Sequence, residues 1–167
     1  MELVVRRADL GDVQAIYDVA GDTWEPTYRP IISQEQIEVM FEDLLSVPAI
    51  ERQIRLHEGT YILALVDGLA QGFAYYAPKD GQDGTRYKLH RLYVRPSTQH
   101  HGVGGAILRF VEDELSQQGV LELELNVNRF NTAQDFYRKQ GYEVAETVDI
   151  PYKQFWLNDY VMKKALR

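Results

Sequence analysis

Residues 99–108 read Gln99-His-His-Gly102-Val-Gly104-Gly105-Ala-Ile-Leu108, and the fold turns on what those three glycines are for. They follow an extended stretch, Tyr87 to Val94, that Pro96 halts. They open an apolar pattern at helical spacing, Val103, Ile107, Leu108, Val111 and Leu115, that runs as far as Gly119. A strand passing through glycines into a helix suits an anion, because the first N–H groups of the helix lack internal partners and sit at its positive dipole end. From the residues alone two readings stay open, a tight turn that needs small residues or a cradle for phosphate. A P-loop would need Gly-Lys-Ser/Thr after its spacer, and the dinucleotide fingerprint would need glycine where Ile107 stands, so neither version fits.

Outward from the loop, the chain reads as alternating strands and helices. Toward the N-terminus, alternation over Glu2 to Arg7 predicts a strand, and Asp9 caps a helix carrying Val13, Ile16, Tyr17 and Ala20. Ser33 with Gln36 is a capping-box pattern before the stripe Ile37, Met40, Phe41 and Leu44. Pro48 suits the first turn of a short helix through Ile54. Strands over Thr60 to Val66 and Leu69 to Ala77 flank Asp67-Gly68, a tight hairpin turn, and a second turn follows over Pro78 to Gly84. Toward the C-terminus, Leu121, Leu123, Leu125 and Val127 alternate with polar residues. Asn131 can cap a helix with Ala133, Phe136 and Tyr137 that Gly141 ends in a left-handed conformation. Strands near Tyr142 to Ile150 and Gln154 to Met162 close the chain. Hairpins mixed with crossovers imply a mixed sheet covered by helices on both faces.

At 167 residues, 45% of them hydrophobic, the chain suits one domain with a proper core. Lys and Arg total 18 against 25 Asp and Glu, a net charge of -7, which argues against nucleic acid as the main partner. No stretch of signal-peptide or membrane-span length stands out, so a soluble, cytoplasmic protein is expected. The chain has no cysteine, which removes disulfides, thiolate metal sites and a thiol nucleophile together. His100 and His101 lack a third ligand at suitable spacing, and no metal is expected.

The loop resembles the pyrophosphate signature of the GNAT family of N-acetyltransferases, Arg/Gln-x-x-Gly-x-Gly/Ala, matched by Gln99, Gly102 and Gly104 after the strand LHRLYV. A second block is matched downstream by Asn131, Ala133, Phe136, Tyr137, Gly141 and Tyr142. The resemblance covers nearly the whole chain and implies a mixed α/β (α+β) fold. In it, a central, mostly antiparallel sheet of six to seven strands carries helices on both faces, as one domain over residues 1–167. It implies acetyl-CoA as co-substrate, with the pyrophosphate against the backbone of Gln99, His100, His101, Gly102, Val103, Gly104 and Gly105. The pantetheine arm and thioester would lie along the free backbone of Leu92, Tyr93 and Val94. It also implies a contact from Asn131, which serves equally as a helix cap, and a homodimer joined through the late strands.

Without cysteine the simplest chemistry is direct attack of a neutral amine on the thioester in a ternary complex. Tyr137, which the family places beside the sulfur, then protonates the thiolate; its other role is an aromatic filling core beside Phe136. Where several family members carry a strand glutamate, this chain has Lys88. Alternation puts His90 on the same face, nearer the thioester, as a candidate base, with a water relay to Glu122 or Glu124 as the competing account. Family acceptor sites are built from the first helices and the connection between them, here Asp22 to Ser33. Trp24, Glu25, Tyr28 and Arg29 would wall a site for a small polar amine, a polyamine or a peptide terminus, and Asn158, Asp159 and Tyr160 are further candidates. A regulatory module that binds acetyl-CoA without catalysis, and a nucleotide-binding module, are the readings from other classes.

Overall fold

The computed structural model describes residues 1–79 and 84–166; residues 80–83 of the expected turn over Pro78 to Gly84 lie outside them. The elements run β1 (Leu3–Arg7), α1 (Val13–Tyr28), α2 (Gln34–Leu45), α3 (Val47–Arg55), β2 (Thr60–Val66), β3 (Leu69–Pro78) and β4 (Arg86–Val94). They continue with α4 (Val103–Gln117), β5 (Glu122–Asn128), α5 (Ala133–Lys139), β6 (Glu143–Tyr152) and β7 (Phe155–Ala165). The strands form one seven-stranded sheet in the order β1-β2-β3-β4-β5-β7-β6, antiparallel except for the parallel pair β4–β5. Among the described residues no helix is long and apolar enough to cross a membrane.

Local signals account for most boundaries. Asp67 and Gly68 both take positive φ, 49° and 82°, as the tight turn between β2 and β3 requires. Ser33 accepts a hydrogen bond from the Gln36 amide at 3.1 Å, while the Gln36 side chain turns away to donate to the Trp156 carbonyl, so the box closes on one side only. Helices cover both faces. Helices α4 and α5 lay Ile107, Leu108, Val111 and Tyr137 on one side, and α1 to α3 lay Ile16, Trp24, Ile37 and Ile50 on the other. Burying each large aliphatic side chain of this kind contributes about 1.5–3 kcal/mol. Gly72 of β3 sets how closely α4 approaches, since a Cβ there would meet the Ile107 side chain at 2.9 Å and the Tyr93 carbonyl at 3.1 Å.

The segment expected to connect the first helices is largely helical instead: α1 runs through Tyr28, with Pro26 inside it. A proline removes one backbone donor from the ladder, yet packing holds the turn. Trp24 is buried and its indole N–H donates to the Ile37 carbonyl, and the Thr23 and Thr27 hydroxyls donate back to the carbonyls of Val19 and Thr23.

Two irregularities shape the middle of the sheet. Opposite β3, Tyr75 pairs with Arg91 and Tyr76 with Leu89, so His90 is an extra residue, a bulge in β4. On its other side β4 pairs with β5 only from Arg86↔Glu122 to Leu89↔Leu125. Beyond that, β4 stays with β3 as far as Val94 while β5 follows β7 to Asn128, and the sheet forks.

Candidate active site

The fork leaves the β5-facing backbone edge of β4 without a strand partner from His90 to Val94. The side chains of Leu92 and Val94 pack with the α4/α5 cluster, while Tyr93 points to the opposite face. The Gln99 side-chain amide folds back to donate to the Val94 carbonyl at 3.0 Å, closing the end of β4. His100 and His101 are exposed, His100 with a φ of 69°.

Gly102 precedes α4 at a φ of 80°, which an L side chain resists, with open space where a Cβ would stand. The first helical bond of α4 runs from the Ala106 amide to the Gly102 carbonyl, so the N–H groups of Val103, Gly104 and Gly105 project from the helix start. A Cβ on Gly104 would meet only the Phe136 ring at 3.5 Å and Val94 at 3.7 Å, so the protein itself does not exclude a side chain there. The guanidinium of Arg109, one turn on, lies 3.2 Å from where a Gly105 Cβ would be. Among the described residues Arg109 has no ion pair. The donor set therefore suits a phosphate chain: free amides, a helix dipole and an unpaired guanidinium about a bare backbone. The Arg109 signal, a cation one turn after the glycines, was available in the sequence.

Tyrosines meet at the fork from both faces. From α5, Tyr137 is buried against Phe136 and Tyr142, with ring centroids 5.2 and 5.9 Å away. Its hydroxyl has no hydrogen-bond partner among the described residues, and burial, with Tyr28 adding, holds the phenol well above its usual pKa. From the other face the Tyr28 and Tyr93 hydroxyls share a hydrogen bond at 3.0 Å. The N-cap of α5 is Thr132 rather than the expected Asn131, which lies one residue earlier, accepts from the Ala133 amide at 2.9 Å in a local turn, and leaves its own amide group unengaged.

The other expected residues divide. Trp24 is a core side chain whose ring lies tilted against Tyr28, centroids 4.5 Å apart, whereas Arg29 is exposed and paired with Glu25 on the outside of α1. Glu124 is committed to Lys79 at 2.9 Å. His90 keeps an exposed edge but lies 5.7 Å from the Tyr75 ring; burial, then the Lys88 and Arg91 charges, push its imidazole down to about 4. Burial likewise lowers Lys88. Sequence reasoning missed Arg91, which simple alternation assigns to the face of Leu89. The bulge instead turns its buried guanidinium over the Tyr75 ring at 4.7 Å, donating to the Tyr61 hydroxyl at 3.3 Å. Asp159 of β7 stands across the fork, half-buried, accepting from the Asn126 amide at 3.4 Å, and burial raises its carboxyl above the usual range.

Comparison with known proteins agrees with this geometry. The model of the acetyltransferase (GNAT) domain matches residues 28–166. A spermidine N(1)-acetyltransferase of Thermoplasma acidophilum is 25% identical over 98% of this chain and 98% of its own length. The crystal structure of the PaiA N-acetyltransferase of Thermoplasma acidophilum in complex with coenzyme A superposes with a TM-score of 0.85 at 26% identity, covering 99% of both chains. A GNAT protein of Rhodopseudomonas palustris shares the fold at a TM-score of 0.81 and 19% identity, over 99% of this chain and 96% of its own. A forked sheet, a glycine-opened helix at the fork and a family match across most of the chain together mean that this protein belongs to the GNAT acetyltransferase family.

Proposed function

We propose that this N-acetyltransferase, as one cytoplasmic domain over residues 1–167, moves the acetyl group of acetyl-CoA to a primary amine by direct attack in a ternary complex. A polyamine is the small-molecule acceptor favoured by the spermidine N(1)-acetyltransferase relative, and a peptide amine is the other class. The observation that carries the reading is the fork, whose unpaired β4 edge runs up to the glycine-opened start of α4, with a phenol that has no hydrogen-bond partner among the described residues on the α5 side.

In this reading the amides of Val103, Gly104 and Gly105 and the guanidinium of Arg109 bind the pyrophosphate, with Gln99, His100, His101 and Gly102 shaping the loop. The β4 edge at Leu92, Tyr93 and Val94 holds the pantetheine arm and offers an N–H to the oxygen that becomes negative during attack. Asn131 offers its free amide to the same arm. Tyr137, protonated at any physiological pH, donates to the departing thiolate. At neutral pH His90 is an uncharged ring. With a pKa near 4 it holds an ammonium proton poorly, which suits it to lining the acceptor side rather than to storing that proton. Tyr28 and Tyr93, backed by Trp24, give that side its aromatic wall.

A panel of amines and peptides assayed for CoA release tests the activity, and Tyr137→Phe tests the acid. Keeping the ring keeps most of the packing, so kcat should fall by roughly 10²-fold on the best acceptor with acetyl-CoA affinity nearly unchanged. Wild-type turnover in that variant, with chemistry rate-limiting, would return Tyr137 to the core. Acetyl-CoA binding without release to any amine would make the protein a binding module instead.

A further inference from the structure

On the acceptor side of the fork, Asp159 is a carboxylate with no ion pair among the described residues, on the face of the sheet opposite Tyr137. Strand register fixes its height. The last β4–β5 pair is Leu89↔Leu125, and Asp159 pairs with Asn128, three residues farther along β5. Asp159 is thus beyond the fork, level with the unpaired β4 edge. Its face is fixed by alternation. In β5, Leu123, Leu125 and Val127 pack with α4 and α5, so Asn126 and Asn128 face the other way, toward α1. In β7, Tyr160 and Met162 take the α4/α5 side while Leu157 joins the α1–α3 cluster, which puts Asp159 on the α1 side with Asn126.

We propose that Asp159 is the group that takes the acceptor's ammonium and accepts its proton, which makes the substrate class a cationic primary amine. This rests on the acetyl-transfer reading above. Around Asp159 stand Tyr28 from α1, Lys88 from β4, Asn126 from β5 and Arg129 just after β5. None of the cations comes within ion-pair distance, since Arg129 spends its guanidinium on Asp149 and on the Val148 and Asp159 carbonyls. The long bond from Asn126 is the one side-chain partner of Asp159 among the described residues. Glu124, on the same face, is held by Lys79 at 2.9 Å with Lys163 at 3.8 Å, so it has no charge to spare. A half-buried anion without a counter-ion is costly, and an incoming ammonium relieves that cost. Burial also raises the Asp159 carboxyl, which moves it toward the range in which a base works near neutrality.

The proton account closes. The ammonium gives one proton to the Asp159 carboxylate, and the freed lone pair forms the C–N bond at the thioester carbonyl. The C–S bond then breaks with its electron pair on sulfur, which takes the Tyr137 proton. The second proton shed by nitrogen restores the Tyr137 phenol, and Asp159 releases its proton to solvent as the amide leaves. Acid and base thus approach the reacting carbon from opposite faces of the sheet.

The test compares two acceptors in the CoA-release assay: spermidine, cationic at neutral pH, and an O-alkylhydroxylamine, which is uncharged there, so that it needs no anionic anchor and has no ammonium proton to give up before attack. Asp159→Asn should lower kcat/KM for spermidine by roughly 10²-fold and move the acidic limb of its pH profile up toward the pKa of the free amine. The loss with the O-alkylhydroxylamine should be at least tenfold smaller than that with spermidine, and the affinity for acetyl-CoA should stay within about twofold. Asp159→Glu, which keeps the carboxylate, should retain the acidic limb. An equal loss with both amines, or an unchanged acidic limb in Asp159→Asn, overturns the assignment to Asp159 while leaving acetyl transfer intact. No CoA release by the wild-type protein with any amine overturns the acetyl-transfer reading, and this one with it.

Discussion

His90 shows how a side chain can sit at the fork of the sheet and still be a poor reservoir for a proton. Its imidazole is pushed from 6.5 to about 4, first by burial and then by the Lys88 and Arg91 charges. An unfolded chain protonates that ring near its ordinary value, whereas the folded protein does so only far lower. Between those two values the unfolded state binds a proton that the native state refuses, so His90 costs stability as the pH falls through that window. His90→Gln should remove that cost: the urea midpoint of the variant should fall less between neutral and mildly acidic pH than that of the wild type. Parallel pH dependence in the two proteins would mean that the ring is solvated enough to titrate normally. Tyr137 is driven the other way by the same physics, because burial penalises the charged form of either group. The result at neutral pH is an uncharged imidazole on one side of the fork and a protonated phenol on the other.

At the scale of the element, the start of α4 is where the proposed cofactor loop rests on helix geometry. The turn at Gly102 aims α4 at the end of β4, Gly72 lets the helix lie close to the sheet, and the first-turn amides face outward. Gly104→Val places its added methyls beside the Phe136 ring and Val94 rather than against backbone, so the fold should survive with a cooperative melt. Acetyl-CoA binding should weaken by at least tenfold, about 1.4 kcal/mol, because the side chain occupies the space the pyrophosphate needs. Unchanged affinity in a calorimetric titration would remove the loop from the cofactor site. The same scale explains why α1 outlasts its proline. The Trp24 indole bond and the Tyr28–Tyr93 hydroxyl bond fasten the last turns to α2 and to β4.

For the whole molecule, the outer strand β6 is the feature that asks for a partner. Among the described residues it pairs with β7 alone, and residues 143–147 are exposed on both faces. Val144 at 39% and Trp156 of β7 at 58% exposure leave apolar surface on this edge. An uncovered edge of this kind is a liability that a second copy relieves. Sedimentation at micromolar concentration should therefore show a dimer, and a monomer alone would count against association through β6 and β7. Among what was legible in the sequence, the strands and helices, the cap at Ser33, the turn at Asp67-Gly68 and the glycine loop before α4 all rest on local energetics. Period, capping and backbone conformation are settled within a few residues, so a single sequence carries them. The fork, the bulge and the outlook of Arg91 and Asp159 are settled between strands far apart in the chain. Leu89 meets Leu125, Asn128 meets Asp159, and the extra residue His90 is visible only against β3. No local pattern records such registers. The chain by itself determined which segments form and that α4 opens on glycines straight after a strand; only tertiary packing decided which carboxylate, among the described residues, stands without an ion pair beyond the fork, because that depends on which strands part and where.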